Sequence, residues 1–342
     1  MSLIVRSPTR DIPLASTDSI KNLFFDRCLL SDEDVDVLNE ALRQPRSTLN
    51  ALYFFRNRFT TDNVKSLSMG LSRVHGLQKL QICSNPMENT GIVALSEALG
   101  NNASVEALHL WDNELNDDQA IILSEGLVRN TLLLEFCVPR NRIADTGANA
   151  LLRAASRHPA LRVLDMSFNR INGGINEGLQ DTSLERLKLD GNILSTEAVL
   201  SIAEALAKNP MLHHLHLSRS NIQETGCRAI AQALCQNTHL VSLALLRNPL
   251  GSHNNNGLCD ALQQSNRTLQ QLLVDAPYRT ATMDFWLEWN RQGRRLIRET
   301  HLPWSLWPHI LVRASQPSIR YSFLSDKPEL MLSSSSSSPS SV

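Results

Sequence analysis

Leu77-Gln-Lys-Leu80-Gln-Ile82-Cys-Ser-Asn85-Pro-Met87 is the stretch on which the reading of this chain turns. It carries apolar residues at its first, fourth, sixth and eleventh positions and asparagine at its ninth. The same phase recurs in both directions. The ninth position falls on Cys28, Asn57, Asn85, Asn113, Asn141, Asn169, Asn192, Ser220, Asn248 and Pro277. The intervals are 29, 28, 28, 28, 28, 23, 28, 28 and 29 residues. Ten units with seven asparagines in one phase mark a stacked repeat, in which each unit buries its apolar face against its neighbours.

Each template position has a physical task. Alternating apolar residues such as Leu108 and Leu110 point to one face of a short strand. The asparagine follows the strand, where the chain turns toward the core. Its amide both donates and accepts, so stacked copies are expected to form a ladder that satisfies the backbone of the turn. A helical stripe follows each strand, as in Ala229, Ile230, Ala233 and Leu234. Gly91, Gly147 and Gly226, six residues after the ninth position, predict close packing of helix on strand. Asn102, Asn130, Asn209, Asn237 and Asn266 each stand three residues before a new template and read as left-handed helix C-caps. The unit between Asn169 and Asn192 is five residues short and contains Asn172-Gly-Gly-Ile-Asn-Glu-Gly178, which predicts a turn in place of its helix.

These residues resemble the leucine-rich repeats of the ribonuclease-inhibitor type, most closely in Asn85-Pro-Met-Glu-Asn-Thr-Gly-Ile92 and Asn141-Arg-Ile-Ala-Asp-Thr-Gly-Ala148. The resemblance covers residues 19–279 and implies an α/β solenoid, a horseshoe with parallel strands inside and helices outside. It leaves function open, because the subclass spans protein inhibitors, GTPase activators and immune-receptor sensors. Residues 1–18 form an N-terminal extension. Residues 280–332 carry four of the five tryptophans and are expected to form a helical cap over the last unit, with an amphipathic helix over 283–297. Residues 333–342 are a serine-rich tail expected to be disordered.

Composition narrows the function. The 342 residues include 56 Leu, and 33 basic residues balance 34 acidic ones to a net charge of −1, which argues against nucleic acid as partner. No apolar run approaches the roughly 18 residues of a membrane span, and the N-terminus lacks a secretory apolar segment, so a cytoplasmic protein is expected. Six scattered cysteines without a C-x-x-C pair read as small apolar fillers or free thiols. Phosphate-cradling glycine loops and hydrolase motifs are missing. Acidic residues at predicted helix starts, such as Asp117 and Asp118, complement the helix dipole. His213-His-Leu-His216 offers two ligands on one strand face and no third, so neither metal nor cofactor is expected. Asn102-Ala-Ser104 and Asn266-Arg-Thr268 match a glycosylation pattern but are read as helix caps.

The informative residues are those the template leaves free on the inner face. The fifth position collects Phe24, Tyr53, His109 and, further on, Cys137, Asp165, Lys188 and His216; the seventh collects Phe55 and Trp111. The eighth gathers Arg27, Arg56, Asp112, Arg140, Phe168, Arg219 and Arg247. In a chain with only 5% aromatics, this concentration has the composition of a protein-binding hot spot. The candidate protein-binding residues are therefore Tyr53, Phe55, Arg56, His109, Trp111, Asp112, Arg140 and Phe168. The expected function is a non-enzymatic, monomeric scaffold that binds a protein partner on its concave face. Gln119, on the helical side, is expected to be inert. One alternative is a ubiquitin-ligase adaptor, because Leu302-Pro-Trp-Ser-Leu-Trp-Pro-His-Ile-Leu311 resembles an F-box opening. The other is a GTPase-activating protein, by analogy within the repeat subclass.

Overall fold

The computed structural model describes residues 2–5, 20–43, 48–72, 74, 76–175, 178–208, 211–251 and 257–292. Strands and helices alternate through them: β1 (Ser2–Val5), β2 (Asn22–Asp26), α1 (Asp32–Arg43), β3 (Ala51–Phe55), α2 (Thr61–Leu71), β4 (Lys79–Cys83), α3 (Asn89–Asn101), β5 (Ala107–His109), α4 (Asp117–Arg129), β6 (Glu135–Cys137), α5 (Asp145–Arg157) and β7 (Val163–Asp165). Then follow β8 (Arg186–Lys188), α6 (Thr196–Lys208), β9 (His214–His216), α7 (Glu224–Gln236), β10 (Ser242–Ala244), α8 (Leu258–Gln264), β11 (Gln271–Leu273) and α9 (Ala281–Gln292). The strands lie side by side in chain order in one parallel sheet. This is an α/β leucine-rich-repeat solenoid.

Register follows repeat phase. The fourth-position residues Leu23, Leu52, Leu80, Leu108, Phe136, Leu164, Leu187, Leu215, Leu243 and Leu272 pair across consecutive strands. None is more than 1% exposed. Full burial of such a side chain is worth about 1.5–3 kcal/mol, so this one column is a large share of the core. The short unit keeps the register, since Val163 pairs with Arg186. Between β7 and β8 the described residues form turns and no helix, as the missing five residues predict.

The asparagine ladder is present. Asn85 Oδ1 accepts from the Asn57 backbone N–H at 2.6 Å, Asn113 Oδ1 from Asn85 at 2.8 Å and Asn141 Oδ1 from Asn113 at 3.0 Å. Each side-chain amide donates back to the preceding unit, as Asn113 does to Ile82 O at 2.7 Å. The ends join in differently: Cys28 offers the ladder its backbone N–H, donated to Asn57 Oδ1, and Pro277 falls in a short 3-10 turn.

Two local expectations need correction. Asn102, Asn130 and Asn237 do stand at helix C-caps, but with φ between −79° and −75° and extended backbone, not left-handed. Their side chains act instead. Asn102 Oδ1 accepts from Ser104 and Val105 N–H while its Nδ2 donates to Leu71 O, one unit back. Asn266 repeats the pattern, so a second ladder runs along the opposite side of the solenoid, and Asn209 lies outside the described residues. Asn102 and Asn266 are buried, which closes both to glycosylation. The glycines face neighbouring helices rather than strands: a Cβ on Gly91 would press on Val64 of α2, and one on Gly226 on Val199 of α6.

The two ends are covered. Residues 2–5 of the N-terminal extension add β1 alongside β2, where Cys28 Sγ donates to Val5 O. At the other end α9 buries Met283, Trp286 and Leu287, and Asn290 Nδ2 donates to Leu269 O at 2.8 Å. Trp304, Trp307, the F-box-like stretch and the serine tail lie outside the described residues. No helix among the described residues is long and apolar enough to cross a membrane.

Candidate functional site

At the end of each strand the chain must turn inward so that the ninth residue enters the core. The eighth residue makes that turn. Arg27, Arg56, Ser84, Asp112, Arg140, Phe168, Arg219 and Arg247 all take φ between 53° and 60°, the left-handed region, which costs a side-chain-bearing residue roughly 1–2 kcal/mol. Gly191 is the exception, at φ 70°, and there a Cβ would collide with the Phe168 ring. The arginine column is therefore a row of strained turn residues along one edge of the inner face.

Beside this row the aromatic residues form a connected floor. Phe24 and Tyr53, direct partners across β2 and β3, stack with ring centroids 4.2 Å apart and 4° between planes. Tyr53 continues to Phe55 at 6.4 Å. Phe55 meets Trp111 edge-on, also at 6.4 Å, although β4 runs between their strands. The small Cys83 on that intervening strand, wholly covered, leaves the rings room to meet above it. Burial pushes the Cys83 thiol up to about 12, so it stays protonated at neutral pH. All four rings are half-buried, their edges supported by one another.

The other candidate residues divide into four sets. Arg56 is exposed at the rim. Asp112 accepts from Ser84 Oγ at 2.6 Å. Arg140 places its guanidinium 5.0 Å from the centroid of Phe168, which is 37% exposed, on the turn next to that of Asp112. His109, two residues before Trp111, turns to Glu135 of the next strand, with Nε2 3.4 Å from Oε1. The imidazole beside it holds the Glu135 carboxyl down at about 2. Glu135, a third-position residue, is missing from the candidate set, although alternation along the strand puts it on one face with Cys137 and repeat phase puts His109 beside them. Phe24 is also missing from that set, although the ring stack includes it.

Further along, opposite charges pair across strands, Lys188 with Asp165 at 3.4 Å and His216 with Asp190 at 3.6 Å. His214 and His216 join no group of three ligand-type side chains among the described residues. Gln119 is not the inert position expected of it. It is buried, closes a capping box with Asn116 and donates to Met87 O at 2.8 Å. Met69, 62% exposed on α2, is the better reference for the helical side.

Repeat phase, ladder and sheet together define a leucine-rich-repeat fold, and the comparisons agree. A family model described as a leucine-rich repeat matches residues 208–231. The chain is similar to NACHT, LRR and PYD domains-containing protein 5 of Homo sapiens, 27% identical over 205 residues, which are 58% of this chain and 15% of that protein. It thus spans a small part of that relative's length. Among solved structures it resembles the crystal structure of the TLR13–ssRNA13 complex, with a TM-score of 0.51 and 17% identity, covering 80% of this chain and 34% of that one. That likeness is one of fold. Leucine-rich-repeat proteins generally mediate protein–protein interaction.

Proposed function

We propose that the chain is a non-enzymatic scaffold that binds a protein segment on its inner face, over the floor made by Phe24, Tyr53, Phe55 and Trp111. The observation that carries this reading is the ring-to-ring continuity from Phe24 to Trp111, held on a rigid sheet and open on one side. Aromatic rings bring large contact area at little entropic cost, because their neighbours already fix their rotamers. Arg56 and Arg140 stand nearby with left-handed backbones. A segment presenting an apolar anchor beside a carboxylate suits this combination, since guanidinium and carboxylate form strong charge-assisted hydrogen bonds.

Quantitative affinity purification of wild type and of the Phe55→Ala/Trp111→Ala double variant tests the reading. Partners enriched with wild type should disappear from the double variant while its melting temperature stays within a few degrees. Identical partner lists from both proteins would remove the aromatic floor as the working surface.

A further inference from the structure

The inner face holds one more arrangement, and it does not depend on the partner reading above. His109 on β5 and Cys137 on β6 are direct partners in the parallel ladder, and Glu135 lies two residues before Cys137 on the same strand face. Their ligand atoms, one from each side chain, all lie within 4.8 Å of one another. Glu135 Oε1 is 3.4 Å from His109 Nε2 and 3.4 Å from Cys137 Sγ. Both distances match edges of a coordination tetrahedron, in which Zn–N, Zn–O and Zn–S bonds of about 2.0–2.3 Å at tetrahedral angles set ligand atoms roughly 3.3–3.6 Å apart.

An ordinary ion pair accounts for part of the arrangement only. His109 Nε2 is shielded from solvent and has no hydrogen-bond partner among the described residues, so its approach to Glu135 lacks hydrogen-bond alignment. Cys137 Sγ turns to the same carboxylate oxygen. Nitrogen, oxygen and sulfur from two adjacent strands thus lie in one cluster, all within 4.8 Å of one another.

We propose that His109 Nε2, a Glu135 carboxylate oxygen and Cys137 Sγ bind a divalent ion of the zinc class. Imidazole with thiolate selects borderline-soft ions such as Zn²⁺ and Co²⁺ over Mg²⁺ or Ca²⁺, which prefer all-oxygen sites. Binding converts the Cys137 thiol to thiolate, the proton passing to solvent, with no change of oxidation state. Three protein ligands leave one position for water or for a donor group of a bound chain.

The test uses the full chain, reduced and stripped of metal, titrated with Co²⁺ alone and followed by absorption. Wild type should develop a thiolate-to-cobalt charge-transfer band together with the intense visible bands of tetrahedral Co²⁺, and Zn²⁺ should displace both. Cys137→Ser should abolish the charge-transfer band. His109→Gln and Glu135→Gln should weaken binding about ten-fold or more, since even outer-shell losses cost that much. His214→Gln, which alters the other histidine-bearing strand, should change nothing. Melting curves recorded with and without Zn²⁺ give a second readout: zinc should raise the melting temperature of wild type and not of His109→Gln. A wild-type titration without the charge-transfer band would overturn the proposal, as would a band that survives Cys137→Ser or tracks His214.

Discussion

Asn113 shows what the repeat asks of one side chain. Its Oδ1 accepts the Asn85 N–H and its Nδ2 donates to Ile82 O, both in the buried turn. Asn113→Ala should therefore cost about 1–3 kcal/mol for each backbone group left without a partner, read as a lower urea midpoint. An unchanged midpoint would mean that the ladder contributes nothing. His158 is the variation on the second ladder. Where other units have asparagine, its Nδ1 accepts from Ala160 and Leu161 N–H at 3.1 and 2.9 Å. Burial holds this ring's pKa below the usual 6.5, with the nearby Arg162 charge adding to the effect. The unfolded chain thus takes up the proton first. The contribution to stability is complete above pH 6.5 and is lost as pH falls from there toward the lower folded-state value. Urea midpoints measured at about pH 8 and about pH 5.5 should differ, and His158→Asn should narrow the gap. The same gap in the variant would acquit the ring. Arg56 separates fold from function at a single position: Arg56→Gly removes left-handed strain, so stability should hold or rise by up to about 1 kcal/mol while partner binding weakens.

The elements are unevenly legible in the sequence, for physical reasons. Strand positions and the helix lost between Asn169 and Asn192 were legible, because apolar spacing and unit length fix them directly. The cap geometry was not. Asparagine suits both a left-handed backbone and a side-chain bridge, and only the next unit's position decides between them. β1 was invisible, because Ser2–Val5 precedes the template and pairs with β2 through backbone groups. The aromatic column was legible as a column, but Phe55 touching Trp111 across β4 depends on Cys83 being small. That Glu135 and His109 share a face follows from repeat phase, but the 3.4 Å approach of their side chains does not. At the C-terminal end, Met283, Trp286 and Leu287 of α9 cover the final unit. Deleting residues 280–342 should expose that flank and produce aggregation in light scattering, whereas deleting 333–342 should leave the protein monodisperse. Equal behaviour of the two truncations would make α9 dispensable to the solenoid.

At the scale of the whole molecule, the sheet is a ruler. Parallel strands about 4.8 Å apart carry each fifth- and seventh-position side chain to a fixed place on the inner face. The N-terminal part of that face is aromatic, the middle holds His109, Glu135 and Cys137, and beyond it opposite charges pair across strands. Near-zero net charge fits recognition by close contact rather than by long-range attraction. In the proposed function the aromatic floor supplies the binding energy. The dissociation constant of a recovered partner should be measured against wild type, Phe55→Ala, Trp111→Ala and Met69→Ala. Truncating a hot-spot anchor costs about 2 kcal/mol or more, so each aromatic variant should bind about 30-fold or more weakly, and Met69→Ala should match wild type. Equal affinity of both aromatic variants and wild type, or a loss confined to Met69→Ala, would remove the aromatic floor as the source of binding energy.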